Sequence, residues 1–221
     1  MFQIKSNKFA LLVIITSLFA VTALGQLSQP QLDSVVKKYS KALQNRGIDT
    51  VCIYNEYCIG CLFNPVNNIN LCDGNFSSLP TYIFWKEKGK TFVTRKDICF
   101  DYSTQVISID SFWQYYSANK QKIKKEELKI PQYIETVNGK RITRSLNIDH
   151  SIYFQLTVIT GSESVSKNIN SFYFTKELGV NEEKNINYEF NMLTSLNRLH
   201  QILQGIIRQE SVKQKFTRSL R

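Results

Sequence analysis

The chain has 221 residues, with 28 lysines and arginines against 18 acidic residues, a formal charge of +10, and five cysteines. This length is enough for one ordinary domain with a real core and leaves little room for a second. The positive balance favours encounter with anionic surfaces without identifying one.

Residues 1–25 read as a secretory signal. Lys5 and Lys8 form the charged start, Phe9 to Val21 are almost wholly apolar, and Ala23-Leu24-Gly25 presents small residues where a signal peptidase cleaves. That apolar run is too short to span a bilayer comfortably and no longer one follows, so an integral membrane protein is not expected. Without a cysteine after the run, a lipid-anchored form is not expected either. Removing the two lysines leaves 26 basic against 18 acidic residues, a charge of about +8. The remainder divides into a single domain over 26–211 and a basic tail over 212–221, expected to fray.

Leu32, Val35, Val36, Tyr39 and Leu43 recur at helical spacing, with Gly47 placed to end the helix. Val51 to Tyr54 then alternates as a strand that runs into Tyr57-Cys58-Ile59-Gly60-Cys61, and the Asn-rich stretch after it reads as loop. Two aromatic and β-branched runs around Lys88-Gly89 predict a hairpin, apolar on both faces and therefore central in its sheet. A second helix starts at Asp110 or Ser111 and spaces Phe112, Tyr116 and Ile123 along one side, with Pro131 beyond its end. Asn138-Gly139 predicts another hairpin. Ile152, Phe154, Leu156 and Val158 share one face of a half-buried strand, turned back at Gly161-Ser162. A last helix over 188–208 places Leu193, Leu196, Leu199, Leu203, Ile206 and Ile207 on one stripe, with His200 at its flank.

These elements predict an α+β fold: N-terminal, central and C-terminal helices covering one face of an antiparallel sheet made of the 81–98, 133–145 and 151–175 hairpins.

The segments YCIGC, IFWKEKGKTFV, VNGK, IDHS and NINYEFN, in this order, resemble a group of small secreted proteins of Bacteroidetes-type bacteria. The resemblance implies an exported bacterial protein, periplasmic or secreted, and implies no activity. Disulfides persist in such a compartment.

Cys58, Cys61, Cys72 and Cys99 are the disulfide candidates, and Cys52, flanked by Val51 and Ile53, is the candidate free thiol. Folding the hairpin about Lys88-Gly89 brings Cys72 within loop reach of Cys99, leaving Cys58 and Cys61 to pair or stay reduced. Cys61 with Cys72 and Cys58 with Cys99 remains an open alternative. A redox use of Cys58 and Cys61 needs a helix starting at the motif, which Pro65 and the Asn-rich run oppose. The same four cysteines could close a zinc site, but one CxxC stands where a ribbon has two. No metal or cofactor is expected.

Asp149-His150-Ser151 has the residue types of acyl transfer in the wrong geometry, because neighbours on a strand point to opposite faces. His150 is kept as a possible polar site that a hydrolase would combine with a distant carboxylate. Glu126-Glu127 and Glu182-Glu183 lie in polar runs and read as solvated faces. Phe84, Trp85 and Phe92 are assigned to the core, leaving no exposed aromatics for a nucleic-acid surface. The expected function is a non-enzymatic binding or envelope-associated domain, with an anionic envelope component or polysaccharide as partner. Oligomeric state is left open.

Overall fold

The computed structural model describes residues 29–59, 79–97, 100–108, 110–148, 150–179, 182–212 and 217–220. Residues 1–25, expected to be a signal, and Cys61, Cys72 and Cys99 lie outside them.

The fold is α+β. Helix α1 (Gln29–Asn45) precedes strand β1 (Thr50–Ile59), the hairpin β2 (Thr81–Glu87) and β3 (Lys90–Lys96), and the short strands β4 (Phe100–Tyr102) and β5 (Gln105–Ile107). Helix α2 (Ser111–Lys125) leads to the hairpin β6 (Gln132–Val137) and β7 (Lys140–Ser145), then to β8 (Ser151–Thr160) and β9 (Glu163–Asn170). A 3-10 turn (Ser171–Phe174), the short strands β10 (Glu177–Leu178) and β11 (Glu183–Lys184), and helices α3 (Tyr188–Met192) and α4 (Ser195–Val212) follow, with β12 (Arg218–Leu220) last. The main antiparallel sheet has the order β12-β4-β3-β2-β1-β8-β9, with β5 also paired to β3.

Local chemistry accounts for the turns. Lys88 and Gly89, and Asn138 and Gly139, all have positive φ, which gives both hairpins the two-residue turn whose twist matches its strands. At the end of α1, Gly47 adopts a φ of 77°. Its N–H bonds Gln44 O, Ile48 N–H bonds Leu43 O, and the buried pair Leu43 and Ile48 closes this glycine cap.

The sheet is covered on both faces, which corrects the expectation of helices on one. Leu32, Val36 and Leu43 of α1 pack with Val51, Ile83 and Trp85 on one side. On the other, Phe112, Tyr116 and Ile123 of α2 and Leu199, Leu203 and Ile206 of α4 cover Cys52, Phe84, Phe154 and Val158. The cause is visible in β2, where Tyr82, Ile83, Phe84 and Trp85 are all buried and consecutive side chains need cover on both sides. Trp85 stacks on Phe92 and meets Tyr39 edge-on, fastening α1 to this hairpin.

Three further expectations are corrected. The 132–145 hairpin is not part of the main sheet but a separate two-stranded unit, because β7 is exposed and charge-rich and β6 only half-buried, so the pair offers no continuous apolar face to bury. The last helix is two: Thr194 breaks it by accepting Asn197 N–H at the start of α4, and Leu193 is 81% exposed instead of joining the apolar stripe. The basic tail does not fray throughout, since Arg218–Leu220 pair with β4 as an edge strand.

Candidate functional site

Two polar constellations occupy the face of the sheet that α2 and α4 cover, and the strand register explains both. Residues two apart on a strand share a face, so cross-strand pairs stack in rows. The central row is apolar: Val93, Phe84, Cys52, Val158 and Val165 are all buried. On one side of it the row passes through Tyr82, Tyr54 and Leu156, followed by Glu56 paired with Phe154. On the other side, at the sheet's rim, Lys86 pairs with Thr91, Thr50 with Thr160, and Thr160 with Glu163. The Val51–Trp85 pair sets Lys86 beside Thr50, so this outer row is polar across five strands.

In the first constellation, α4 lays His200 and Gln204 over Tyr54 and Glu56. The His200 ring stacks on Phe154 with centroids 3.8 Å apart, and its Nδ1 lies 3.1 Å from the Tyr54 hydroxyl. That hydroxyl donates to Glu56 Oε1 at 2.9 Å and accepts from Gln204 Nε2 at 2.7 Å. Gln204 Nε2 also donates to Glu56 Oε1. A phenol has one proton, and a carboxylate only accepts. With that proton given to Glu56, His200 must donate from Nδ1, and every polar atom facing the Tyr54 oxygen is then satisfied. Burial, with Arg208 adding to it, lowers the His200 pKa to about 4 and keeps the ring neutral at pH 7. Burial, helped by the Glu56 carboxylate, pushes the Tyr54 phenol up. Below it, burial pushes the Cys52 thiol well up, so that it is no ready nucleophile. This network fixes α4 onto β1, with a neutral imidazole and a neutral phenol at its centre.

The second constellation surrounds a cleft of about 280 Å³ between the outer row and α2. The sheet contributes Thr50, Lys86 and Thr160, and α2 contributes Trp113, Tyr116, Ser117 and Lys120. Every polar side chain in this lining carries a hydrogen-bond donor, and no carboxylate is among them. The two ammonium groups are held from the rim. Lys86 bonds Asp110 at 2.8 Å, and Lys120 bonds Glu163 at 2.8 Å and the Thr160 hydroxyl at 2.9 Å. Hydrogen bonds from Lys120 and Lys124 lower the Glu163 pKa. Trp113 Nε1 and the Tyr116 hydroxyl are buried without a hydrogen-bond partner among the described residues. Burial and the charge of Glu163 raise the Tyr116 pKa to about 12, so its O–H stays a donor.

A groove of about 320 Å³ between α2 and α4 is lined by Ile202, Gly205 and Ile206 with Arg198, Gln201 and Gln209 at its edges. Its wall holds none of the buried, unpartnered donors found in the cleft.

His150 is exposed at the start of β8, and the Ser151 hydroxyl beside it donates to Asn170 Oδ1 at 2.6 Å. Asp149 lies outside the described residues. Cys52 is a free, buried cysteine. Cys58, near the end of β1, is not a free thiol. Cys61, Cys72 and Cys99 are outside the described residues, and no three His, Cys, Asp or Glu side chains converge as a metal site within them. Nor is any described helix long and apolar enough to cross a membrane.

His200 and Gln204 escape a reading of the sequence although the signal is present, since both fall at helical spacing on the stripe of Leu196, Leu199 and Leu203. The expectation of a solvated Glu126 is corrected: it accepts Ser195 N–H and Leu196 N–H at the start of α4. Comparison with known proteins gives no match among family models, curated proteins or solved structures.

Proposed function

We propose that the chain is an exported, non-enzymatic binding domain whose partner is an anionic polysaccharide of the cell envelope or its surroundings. The cleft carries this reading: two lysines, an indole, a phenol and the Ser117 and Thr160 hydroxyls offer donors to an acceptor-rich ligand. The Tyr54 network supports it from the other side. Its hydrogen bonds close on themselves, its histidine is neutral, and no reactive nucleophile among the described residues stands against it. Export rests on the signal-like residues 1–25 and on the resemblance to secreted bacterial proteins.

Immobilised protein is expected to retain acidic polysaccharide from an envelope extract and release it as salt screens the attraction. Replacing Lys86 and Lys120 together by alanine should lower retention about tenfold, equivalent to about 1.4 kcal/mol. Retention unchanged in molar salt, or unchanged in the double variant, would overturn this assignment.

The candidate cysteines are assigned a structural role in the same compartment, and Cys58 being engaged supports it. Non-reducing peptide mapping of protein recovered from its native compartment should find Cys58 and at least one of Cys61, Cys72 and Cys99 in disulfides. Alkylation of all five thiols without a reductant is the contrary result.

A further inference from the structure

We propose that the cleft between α2 and the outer polar row binds a uronic acid: a carboxylate held by donors from Lys86, Lys120, Trp113 and Tyr116, on a hydroxylated ring. This deepens the polysaccharide-binding reading and rests on it.

Three observations lead there. The first is the pair of unpartnered donors. Trp113 is 5% and Tyr116 2% exposed, and neither the indole N–H nor the phenol O–H has a hydrogen-bond partner among the described residues. Leaving a buried donor unmade costs about 1–3 kcal/mol. Two such donors one helical turn apart, both on residues that line one cleft, are a standing cost that an acceptor reaching them by a small side-chain shift would relieve.

Charge is the second. A Lys86 ammonium has three protons and gives one to Asp110, while Lys120 gives one each to Glu163 and Thr160. Each lysine therefore retains donor capacity. Asp110 and Glu163 stand at the rim, and neither lines the cleft. Both carboxylates are more than a third exposed, so the lysine side chains can shift toward a ligand without stranding a buried charge.

Size and lining give the third. A volume of about 280 Å³ suits one sugar ring and is too small for a folded partner. Ser117 and Thr160 can both donate to and accept from ring hydroxyls, Thr50, whose proton goes to Asp49 Oδ1, can accept from them, and the two aromatic side chains offer apolar surface to its C–H faces. A bare inorganic anion would leave that hydroxyl and aromatic lining unused.

The chain has two tryptophans, Trp85 and Trp113, so its indole N–H resonances are two and are assigned with Trp113→Phe. Titrating the isotope-labelled, folded protein with sodium glucuronate should move the Trp113 indole resonance saturably and leave that of Trp85 in place. In Tyr116→Phe the affinity should fall about tenfold while resistance to urea holds or rises, because the lost hydroxyl had no partner. No movement of Trp113 with glucuronate overturns the inference. An equal response to glucose also overturns the carboxylate but leaves the polysaccharide-binding reading standing, and an equal response to sodium sulfate reduces the site to an unspecific anion site. If Tyr116→Phe loses stability and keeps its affinity for glucuronate, Tyr116 is not part of the site.

Discussion

At pH 4.5 the folded chain is expected to lose about 2 kcal/mol of stability, relative to pH 7, through His200 alone. An unfolded histidine titrates near 6.5, whereas His200 in the fold titrates at about 4. Between those values the unfolded state binds the proton and the folded state does not, so stability falls as the pH drops through that window. It is fully present above about 6.5 and lost by about 4, a span worth roughly 3 kcal/mol at about 1.36 kcal/mol per unit. Protonation would put a second proton on the imidazole, whose ring lies flat against Phe154 in a partly buried site. The added charge would also sit near Arg208. His200→Asn keeps a short amide donor within range of the Tyr54 oxygen and removes the titration. Urea denaturation across pH 4 to 7 should show the variant less stable at pH 7, from lost stacking, and less acid-sensitive than the parent by about 2 kcal/mol. Parallel pH profiles for the two proteins would show that His200 is not held neutral by its surroundings.

Much of the scaffold was legible because it is specified locally. The turns at Lys88-Gly89 and Asn138-Gly139 depend on two residues each, and the cap at Gly47 on the six residues from Leu43 to Ile48. The run from Tyr82 to Trp85 marked a central strand because no sheet edge or solvent face tolerates four consecutive large side chains. That same run implied cover on both faces, which is where the one-face expectation failed. The cleft was not legible, since its outer row is created by pairing Thr50 with Thr160 and extending the Val51–Trp85 register to Lys86. Single polar residues that look like ordinary solvated positions become a row only through contacts across the sheet. The Tyr54 network falls between these cases: the helical period admits His200 and Gln204 to the buried stripe, although His200 was expected at its flank, and their partners on β1 lie about 150 residues away in sequence.

Glu126→Ala is expected to destabilise the chain by about 3 kcal/mol, a large effect for one acidic residue in a lysine-rich run. The first N–H groups of a helix have no intrahelical partners, and its N-terminus carries partial positive charge. Glu126 meets both conditions at once: its side chain is 11% exposed, Oε1 accepts Ser195 N–H at 3.1 Å, and Oε2 accepts Leu196 N–H at 2.8 Å. Thr194 supplies the third acceptor through Asn197 N–H. The Glu126 backbone is tied in as well, since Lys167 Nζ donates to Glu126 O at 2.8 Å. Alanine would strand two N–H groups and release the end of α2 from the start of α4, the helix that carries His200 and Gln204 onto β1. Glutamine retains one acceptor oxygen but turns an NH2 group toward a donor, so Glu126→Gln should lose about half as much. Glu126 and the start of α4 take no part in lining the cleft, so neither variant should change glucuronate binding at temperatures where it stays folded. Chemical denaturation measures the first effect and the Trp113 indole titration the second. A loss below about 0.5 kcal/mol in Glu126→Ala would mean that water replaces the carboxylate at the helix start without penalty.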